Sequence, residues 1–523
     1  MEDKHRPNRL LRFLAYLLGV VVLLIGSGLL LGDHLTPKAV GAPSYALPVQ
    51  AQQTLIDRQL QPLLAAHPGK SGAVYLSDGL EAYAARAIIT RQAGRSLDLQ
   101  YYMWHDDLLG HLLAHDVYQA AERGVRVRLL LDDMNAAGLD PQMLALDNHP
   151  NIEIRLYNPF RNRDGLWRLV EMVQRVFSIN HRMHNKAWIA DGRVAIVGGR
   201  NIGAEYFDAR PDVNFRDLDL LLAGPVANDA STVFDDFWNS DAVVPIAALH
   251  YSTDQQMANF ISQAELDARQ QEAEPYLQRV RAHFTDAYLS RQLDLHWTDG
   301  VRIRSDPPRK PVGGDSSQWL VAQLVDVLSS AKHKSLLISP YFVPGAVGTK
   351  GLIQQARNGV QVGIITNSLA ANDVAAVHGG YMHYRRPLLA GGVQLYELKA
   401  HGHVEKASTF GSSGASLHTK AFVVDDRRGF VGSFNLDPRS AYLNTEMGAL
   451  FDDPVLAARL RQEYLRLSSA EMSYWMYLNK DHELRWLDRG SNPPISLRTE
   501  PDTGFMQRAS TRVISWLPLE SQL

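Results

Sequence analysis

The sequence predicts an α/β protein of two related α/β/α lobes with mixed sheets, facing each other across a pseudo-two-fold axis, behind an amino-terminal transmembrane helix. Three observations predict it. A segment of the form H-x-K-x4-D occurs twice, an order of strand and helix patterns repeats around each copy, and an apolar run without charge lies near the amino terminus. At a prior of about 150 residues per domain, the 523 residues suggest three units, although a duplicated α/β protein with a linker uses the length equally well. Alternating strand and helix patterns demand helices on both sheet faces, and related halves naturally pair about a two-fold.

Residues 1–32 read as a basic segment and membrane anchor. Lys4, Arg6, Arg9 and Arg12 precede Phe13 to Leu31, which carries no charge and is long enough to cross a bilayer core of about 30 Å at roughly 1.5 Å per residue. The run exceeds the usual signal-peptide core of about 7 to 15 residues, and no small-x-small cleavage site follows at once, so the reading is an uncleaved anchor. Only Lys38 follows before Arg58. The positive-inside rule therefore leaves the amino end in the cytoplasm and turns the body outward. A linker and leading helix fill residues 33–69.

The first lobe spans residues 70–245. Strands are predicted over Ser96 to Trp104, Val125 to Leu131 and Ile152 to Tyr157, with a helix over Leu109 to Arg123. Residues 246–315 are a helical connector and linker: Ser252 to Ser290 is rich in Gln, Ala, Glu and Arg, and Asp306 to Asp315 is turn-rich. The second lobe, residues 316–475, repeats the order with strands over Ser335 to Val343, Val360 to Thr366 and Val393 to Glu397 and a helix over Gly351 to Asn358. Residues 476–523 form a carboxyl-terminal extension. In the first lobe Asp191-Gly192 lies between two apolar runs, so the motif strand doubles back as a hairpin ending at Gly198.

The repeated segments are His184-Asn-Lys186-Ala-Trp-Ile-Ala-Asp191 and His418-Thr-Lys420-Ala-Phe-Val-Val-Asp425. Each continues into a small-residue turn ending in Asn, Gly198-Gly-Arg-Asn201 and Gly432-Ser-Phe-Asn435. One copy alone is a weak pattern; two copies with matched tails are not accidental. Alternate strand residues share a face, so each His and Lys project together. An imidazole attacks or shuttles a proton near neutral pH, and an ammonium supplies fixed charge and three donors. Two such pairs around one phosphodiester, with Asn201 and Asn435 adding donors to the equatorial oxygens, require no metal. Matching the strands after the Asn turns sets Asp217 opposite Glu446, carboxylates placed to fix the tautomer of each imidazole. Asp219 is the rival of Asp217, on the same face two residues on.

These residues resemble the paired HKD motifs of the phospholipase D superfamily. Beyond the motifs, Ser96-Leu-Asp-Leu-Gln-Tyr-Tyr-Met-Trp104, Arg123-Gly-Val-Arg-Val-Arg-Leu-Leu-Leu-Asp-Asp133, the block Met183 to Phe207 and the ending Trp516 to Leu523 are similar to the bacterial cardiolipin synthases, most closely their C-type branch. The resemblance covers about residues 70 to 475. It implies two phospholipase D-like lobes, a phosphohistidine intermediate, an acidic residue beside each histidine, and a structural role for Asp191 and Asp425. It also implies His184 as nucleophile and His418 as acid and base; the near symmetry of the motifs leaves the reverse open.

The implied reaction is a phosphatidyl transfer between phospholipids. The donor is phosphatidylglycerol or phosphatidylethanolamine, no cofactor is used, and the location is the bacterial inner membrane with the body in the periplasm. The alternative is hydrolysis to phosphatidic acid if water reaches the intermediate first. With 53 Lys plus Arg against 56 Asp plus Glu, the net charge is −3, and there is no global basic field to hold nucleic acid. There are no cysteines, which removes disulfides and thiolate chemistry. Leu166, Trp167, Leu169, Val170, Val173, Val176 and Phe177 recur at helical spacing before the first motif. They read as a packed lobe helix, with a dip into the headgroup region as the other reading. Tyr341 to Gly345 reads as a strand end and turn.

Overall fold

In a computed structural model, residues 41–135, 140–160, 180–249, 254–310, 315–400, 414–518 and 520–523 are described, with scattered helical residues between 13 and 27. About half of the run Phe13 to Leu31 falls outside them, as does the whole stretch Leu166 to Phe177. Among the described residues no helix is long and apolar enough to cross a membrane.

The chain folds into a mixed α/β structure with two sheet-rich lobes. In the first sheet the strand order is His296–Thr298, Ser71–Leu76, Asp219–Ala223, Val194–Gly198, Ala187–Ala190, Ser96–Tyr101, Arg126–Asp132, Ile152–Tyr157, Val243–Pro245. In the second it is Val301–Ser305, Met447–Asp452, Arg428–Gly432, Lys420–Val424, Lys334–Ile338, Gln361–Asn367, Gln394–Leu398, Ser473–Leu478, followed by Leu484–Asp488 and Ile495–Leu497. From Ser71–Leu76 and from Val301–Ser305 onward the two orders match strand for strand. In each sheet the last three strands before the motif in sequence pair parallel with one another and the other pairings are antiparallel. The parallel strands read as apolar runs because both faces are covered.

Helices Gly79–Gln92 and Leu108–Glu122 bury the outer face of the first sheet, and Leu320–Ser329 and Ala375–Ala390 that of the second. Between the sheets one core takes in Ile189, Val197, Leu220 and Phe234 from the first lobe and Ile338, Val423, Val431 and Leu460 from the second. The lobes therefore share a core.

The predicted strands at Ser96 and Ser335 stop early, at Tyr101 and Ile338, because the chain leaves the sheet there. It crosses instead to the turn after each motif through the bridges Trp104 to Ile202 and Phe342 to Leu436. The stretch expected to be connector holds helices Asp254–Asp267 and Glu274–His283, and also Val301–Ser305, the edge of the second sheet. Its alternation of Val301, Ile303 and Ser305 with Arg302 and Arg304 is a period-two strand signal beside the Pro-Pro turn.

Both motif hairpins turn through three residues beginning at an Asp with positive φ, 55° at Asp191 and 53° at Asp425. The Asp191 carboxylate accepts backbone N–H groups from Gly94, Arg95 and Ser96, and Asp425 accepts those of Lys332, His333 and Lys334. Each motif Asp thus ties its turn to the start of the neighbouring strand, Ser96–Tyr101 or Lys334–Ile338. Asp191 is fully buried and Asp425 half-buried. Asp191→Ala, which strands two buried donors and that of Gly94 at the surface, is expected to cost about 3 kcal/mol and Asp425→Ala about half of that. Denaturant unfolding measures both; equal costs would contradict the burial argument.

Candidate active site between the lobes

The two His-x-Lys segments approach the lobe interface from opposite sides, and each is clamped just before its histidine. Asp132, ending strand Arg126–Asp132, accepts Met183 N at 2.8 Å and Arg182 Nη1 at 3.2 Å. At the matching position Asn367 accepts Leu417 N at 2.8 Å and donates to Leu417 O at 3.0 Å. The strands Val213–Arg216 and Gly414–Leu417 pair parallel across the interface.

Each histidine is then held by the opposite lobe. His184 N donates to Thr445 O at 2.9 Å, and its Nδ1 lies 2.8 Å from Glu446 Oε2. His418 N donates to Arg216 O at 2.8 Å, and its Nδ1 lies 2.6 Å from Asp217 Oδ2. Two adjacent residues of one lobe therefore fix both the backbone and the ring of the other lobe's histidine. With Nδ1–H donating to a carboxylate, Nε2 of each ring keeps its lone pair. Asp219 does something else: it pairs with Arg86 at 2.8 Å and Arg200 at 3.3 Å inside the first lobe.

The turns after the motifs differ in one respect. Ser433 donates its hydroxyl to Glu446 Oε2 at 2.5 Å, steadying that carboxylate. Gly199 stands at the matching place, where a Cβ would come within 2.2 Å of Asp217 Oδ1, so only glycine fits. Asn201 Nδ2 donates to the Tyr206 hydroxyl at 2.8 Å and its Oδ1 accepts Met103 N at 3.3 Å. One of its amide hydrogens is thus committed to positioning Tyr206. Asn435 is buried, and its Oδ1 has no partner among the described residues. Tyr102 meets the His184 ring edge-on at 5.0 Å, and Tyr206 meets that of His418 at 5.1 Å, with Phe215 at 5.0 Å.

Burial dominates the electrostatics. It pushes the His184 imidazole down to about 4 against the pull of Glu446, and holds His418 well below its ordinary value with help from Lys420 and Lys186. Lys186, whose Nζ donates to His184 O, is lowered by burial to about 7; Lys420, bonded alike to His418 O, is lowered to about 8. Burial would raise both carboxylates. Glu446 nevertheless stays below its ordinary value because His184, Lys186 and the Ser433 hydroxyl favour its charge, whereas Asp217, without such a hydroxyl, is raised despite Lys420 and Arg200. The site is therefore two neutral imidazoles, two carboxylates and two depressed ammoniums, arranged for nucleophilic attack and proton transfer on an anion. His105, Asp107 and Glu205 bring metal-capable groups within 4.8 Å of one another. There the Asp107 carboxylate is engaged by Gly110 N and Ala204 N, and His105 by Glu205.

Every candidate site residue read from the sequence is present at this interface except Asp191, Asp425 and Asp219, which lie in the lobe interiors or at hairpin ends. The clamps Asp132 and Asn367 and the walls Tyr102, Tyr206 and Phe215 were not singled out. A polar residue ending an apolar strand at the same place in both repeats was the available signal for the clamps.

A family model described as a cardiolipin synthase, PLD-like domain, matches residues 88–238 and 324–468. The chain is 40% identical over 467 residues to cardiolipin synthase C of Escherichia coli, covering 88% of this chain and 98% of that protein. It is 26% identical over 395 residues to a cardiolipin synthase of Staphylococcus aureus, covering 74% of this chain and 65% of that protein. The crystal structure of phosphatidylserine synthase from Haemophilus influenzae shares the fold, with a TM-score of 0.57 at 14% identity over 90% of this chain and all of that one.

Proposed function

This chain belongs to the cardiolipin synthase, PLD-like domain family, and we propose that it is a phosphatidyltransferase that makes cardiolipin by phosphatidyl transfer between phospholipids. The observation that carries the reading is the crossed pairing of His184 with Glu446 and of His418 with Asp217, which leaves both Nε2 atoms free in one buried cationic pocket. In the first step His184 Nε2 attacks the phosphorus of a donor phospholipid, phosphatidylglycerol or phosphatidylethanolamine. The bond to the head-group oxygen breaks, and His418 Nε2 gives that oxygen its proton. In the second step a hydroxyl of phosphatidylglycerol attacks phosphorus, His418 takes the proton, and His184 leaves. One phosphodiester replaces another, so no nucleotide enters. Lys186 and Lys420 stabilise the phosphoryl oxygens.

A bound phosphodiester anion raises the lysines and His418, so substrate binding supplies the field that lets His418 hold its proton. For the free enzyme kcat/KM is expected to fall first as His418, held below its ordinary value, loses its proton, and further above about pH 7 to 8 as Lys186 and Lys420 lose charge, while kcat persists to higher pH; the acid limb lies near pH 4, where His184 protonates. Stability moves the other way. The lowered lysines bind fewer protons folded than unfolded, so they destabilise the fold fully below about pH 7 and less as pH rises toward the ordinary lysine value. Alkaline limbs at the same pH in both kinetic profiles would contradict the linkage.

The charge-free run Phe13 to Leu31 and the basic residues before it support a single-pass anchor with the body in the periplasm. Mixed labelled phosphatidylglycerol and phosphatidylethanolamine given to the purified protein test the reaction. Doubly labelled cardiolipin is expected, and free phosphatidic acid without cardiolipin would make the enzyme a hydrolase.

A further inference from the structure

The carboxyl-terminal strands Leu484–Asp488 and Ile495–Leu497 and helix Phe505–Ile514 close over helix Ala375–Ala390, leaving a cleft of about 580 Å³. Six arginines line it, Arg385, Arg386, Arg485, Arg498, Arg508 and Arg512, against the carboxylates of Glu483 and Glu500. Both carboxylates are already engaged, Glu500 with Arg385 at 2.6 Å and Glu483 with Arg485. Among the described residues the other four guanidiniums have no carboxylate in ion-pair contact. Thr511, 1% exposed, lines the same cleft with a hydroxyl that has no partner among the described residues. Excess guanidinium charge with a buried hydroxyl suits an oxygen-rich anion of the phosphate-ester kind.

Among the described residues nothing covers the outer, apolar side of the same helix. Met506 and Val513, spaced by seven, make an exposed stripe that Leu517 continues past the helix end, while Phe505 and Arg512 border the cleft. Phe505 is 74% exposed, Met506 76% and Trp516 73%. Large exposed apolar side chains beside arginines are the composition of a helix that lies in a bilayer interface. The element is also linked toward the histidine site, since the Asp373 carboxylate acts on the Lys420 charge. Gly379 of helix Ala375–Ala390 packs on Ser515, and that helix starts just after Asp373, which accepts the hydroxyl of Tyr341. The terminal Leu523 carbonyl accepts Arg439 N, four residues beyond Asn435.

We propose that helix Phe505–Ile514 docks on the membrane surface and that its arginine cleft takes the phosphodiester headgroup of an anionic phospholipid, at a site separate from the His184 and His418 pair. The occupant is a lipid and not a free phosphate, because the charged cleft and the apolar stripe are two sides of one helix. The docking does not depend on the reaction at the histidines, and its failure would leave that reading standing.

The chain has no cysteine, so one introduced label reports one position. Full-length Val513→Cys with a polarity-sensitive fluorophore is placed in phosphatidylcholine vesicles of rising phosphatidylglycerol content, with nitroxide lipids as quenchers. Asp294→Cys, whose native side chain is 89% exposed on the connector, is the control. The label at 513 is expected to quench at least about threefold more than that at 294, increasingly with phosphatidylglycerol. In the Arg498→Gln/Arg512→Gln background, half-maximal quenching is expected to need about threefold more phosphatidylglycerol. Equal quenching at both positions, or no dependence on phosphatidylglycerol, overturns the proposal. So does a spectral shift produced by inorganic phosphate without lipid quenching, which makes the cleft a free-phosphate site. Label-to-label energy transfer independent of lipid composition assigns the stripe to a second copy and overturns it as well.

Discussion

Replacing His184 or His418 by alanine is expected to lower turnover by about 10⁴-fold or more, and the double replacement by no more than either single one. The two rings are 8% and 7% exposed and face one interface; in the proposed mechanism they act on one phosphorus, so neither works without the other. Loss of one removes either the nucleophile or the proton donor, after which the remaining ring has nothing to complete. Non-additivity is the sharper half of this expectation. Two independent half-sites would each retain about half of the activity, and the double variant would be far worse than the singles. Unfolding curves for the variants separate chemical loss from instability, since each alanine also leaves a buried carboxylate unpaired.

Glu446→Gln and Asp217→Asn are expected to cost about 10² to 10⁴ in kcat, because an amide holds its histidine less firmly in the tautomer that frees Nε2. The effects should cross the lobe boundary. Glu446 belongs to the second lobe but holds His184, and Asp217 belongs to the first but holds His418; under the proposed roles Glu446→Gln is expected to impair the attack and Asp217→Asn proton delivery. A phosphodiester with an activated phenolic leaving group needs little acid help. With it, the first step is expected to recover in Asp217→Asn and His418→Ala but not in Glu446→Gln and His184→Ala. Recovery in the opposite pair would exchange the roles of the two histidines. Losses below about fivefold in both carboxamide variants would remove the carboxylates from the mechanism.

The doubled motif was legible because its meaning depends on local spacing: a strand puts His184 with Lys186 and His418 with Lys420 whatever the rest of the chain does. The carboxylates were legible as a pair for the same reason, since Asp217 and Glu446 occupy matching places after matching turns. Their crossing was not. Alignment of repeats compares each lobe with the other and says nothing of which lobe's carboxylate reaches which ring; that is set by the shared core around Val197, Leu220, Ile338 and Val431. Asp219 shows the limit of face-counting. It shares the strand face of Asp217 but lies deeper in its lobe, where Arg86 and Arg200 claim it. Asn201 was read as a donor to phosphate, and its engagement with Tyr206 depends on the turn Ala204–Phe207 folding back, which no spacing announces. The edge strand Val301–Ser305 was hidden by the prolines that follow it.

The central claim is that one shared site breaks and remakes a phosphodiester through a phosphatidyl group carried on histidine. The stereochemical course at phosphorus tests it most directly. With a donor lipid made chiral at phosphorus by sulfur and oxygen isotopes, two successive in-line displacements give cardiolipin with net retention at the transferred phosphorus. Net inversion would show a single direct displacement, and the phosphohistidine would have no place in the reaction.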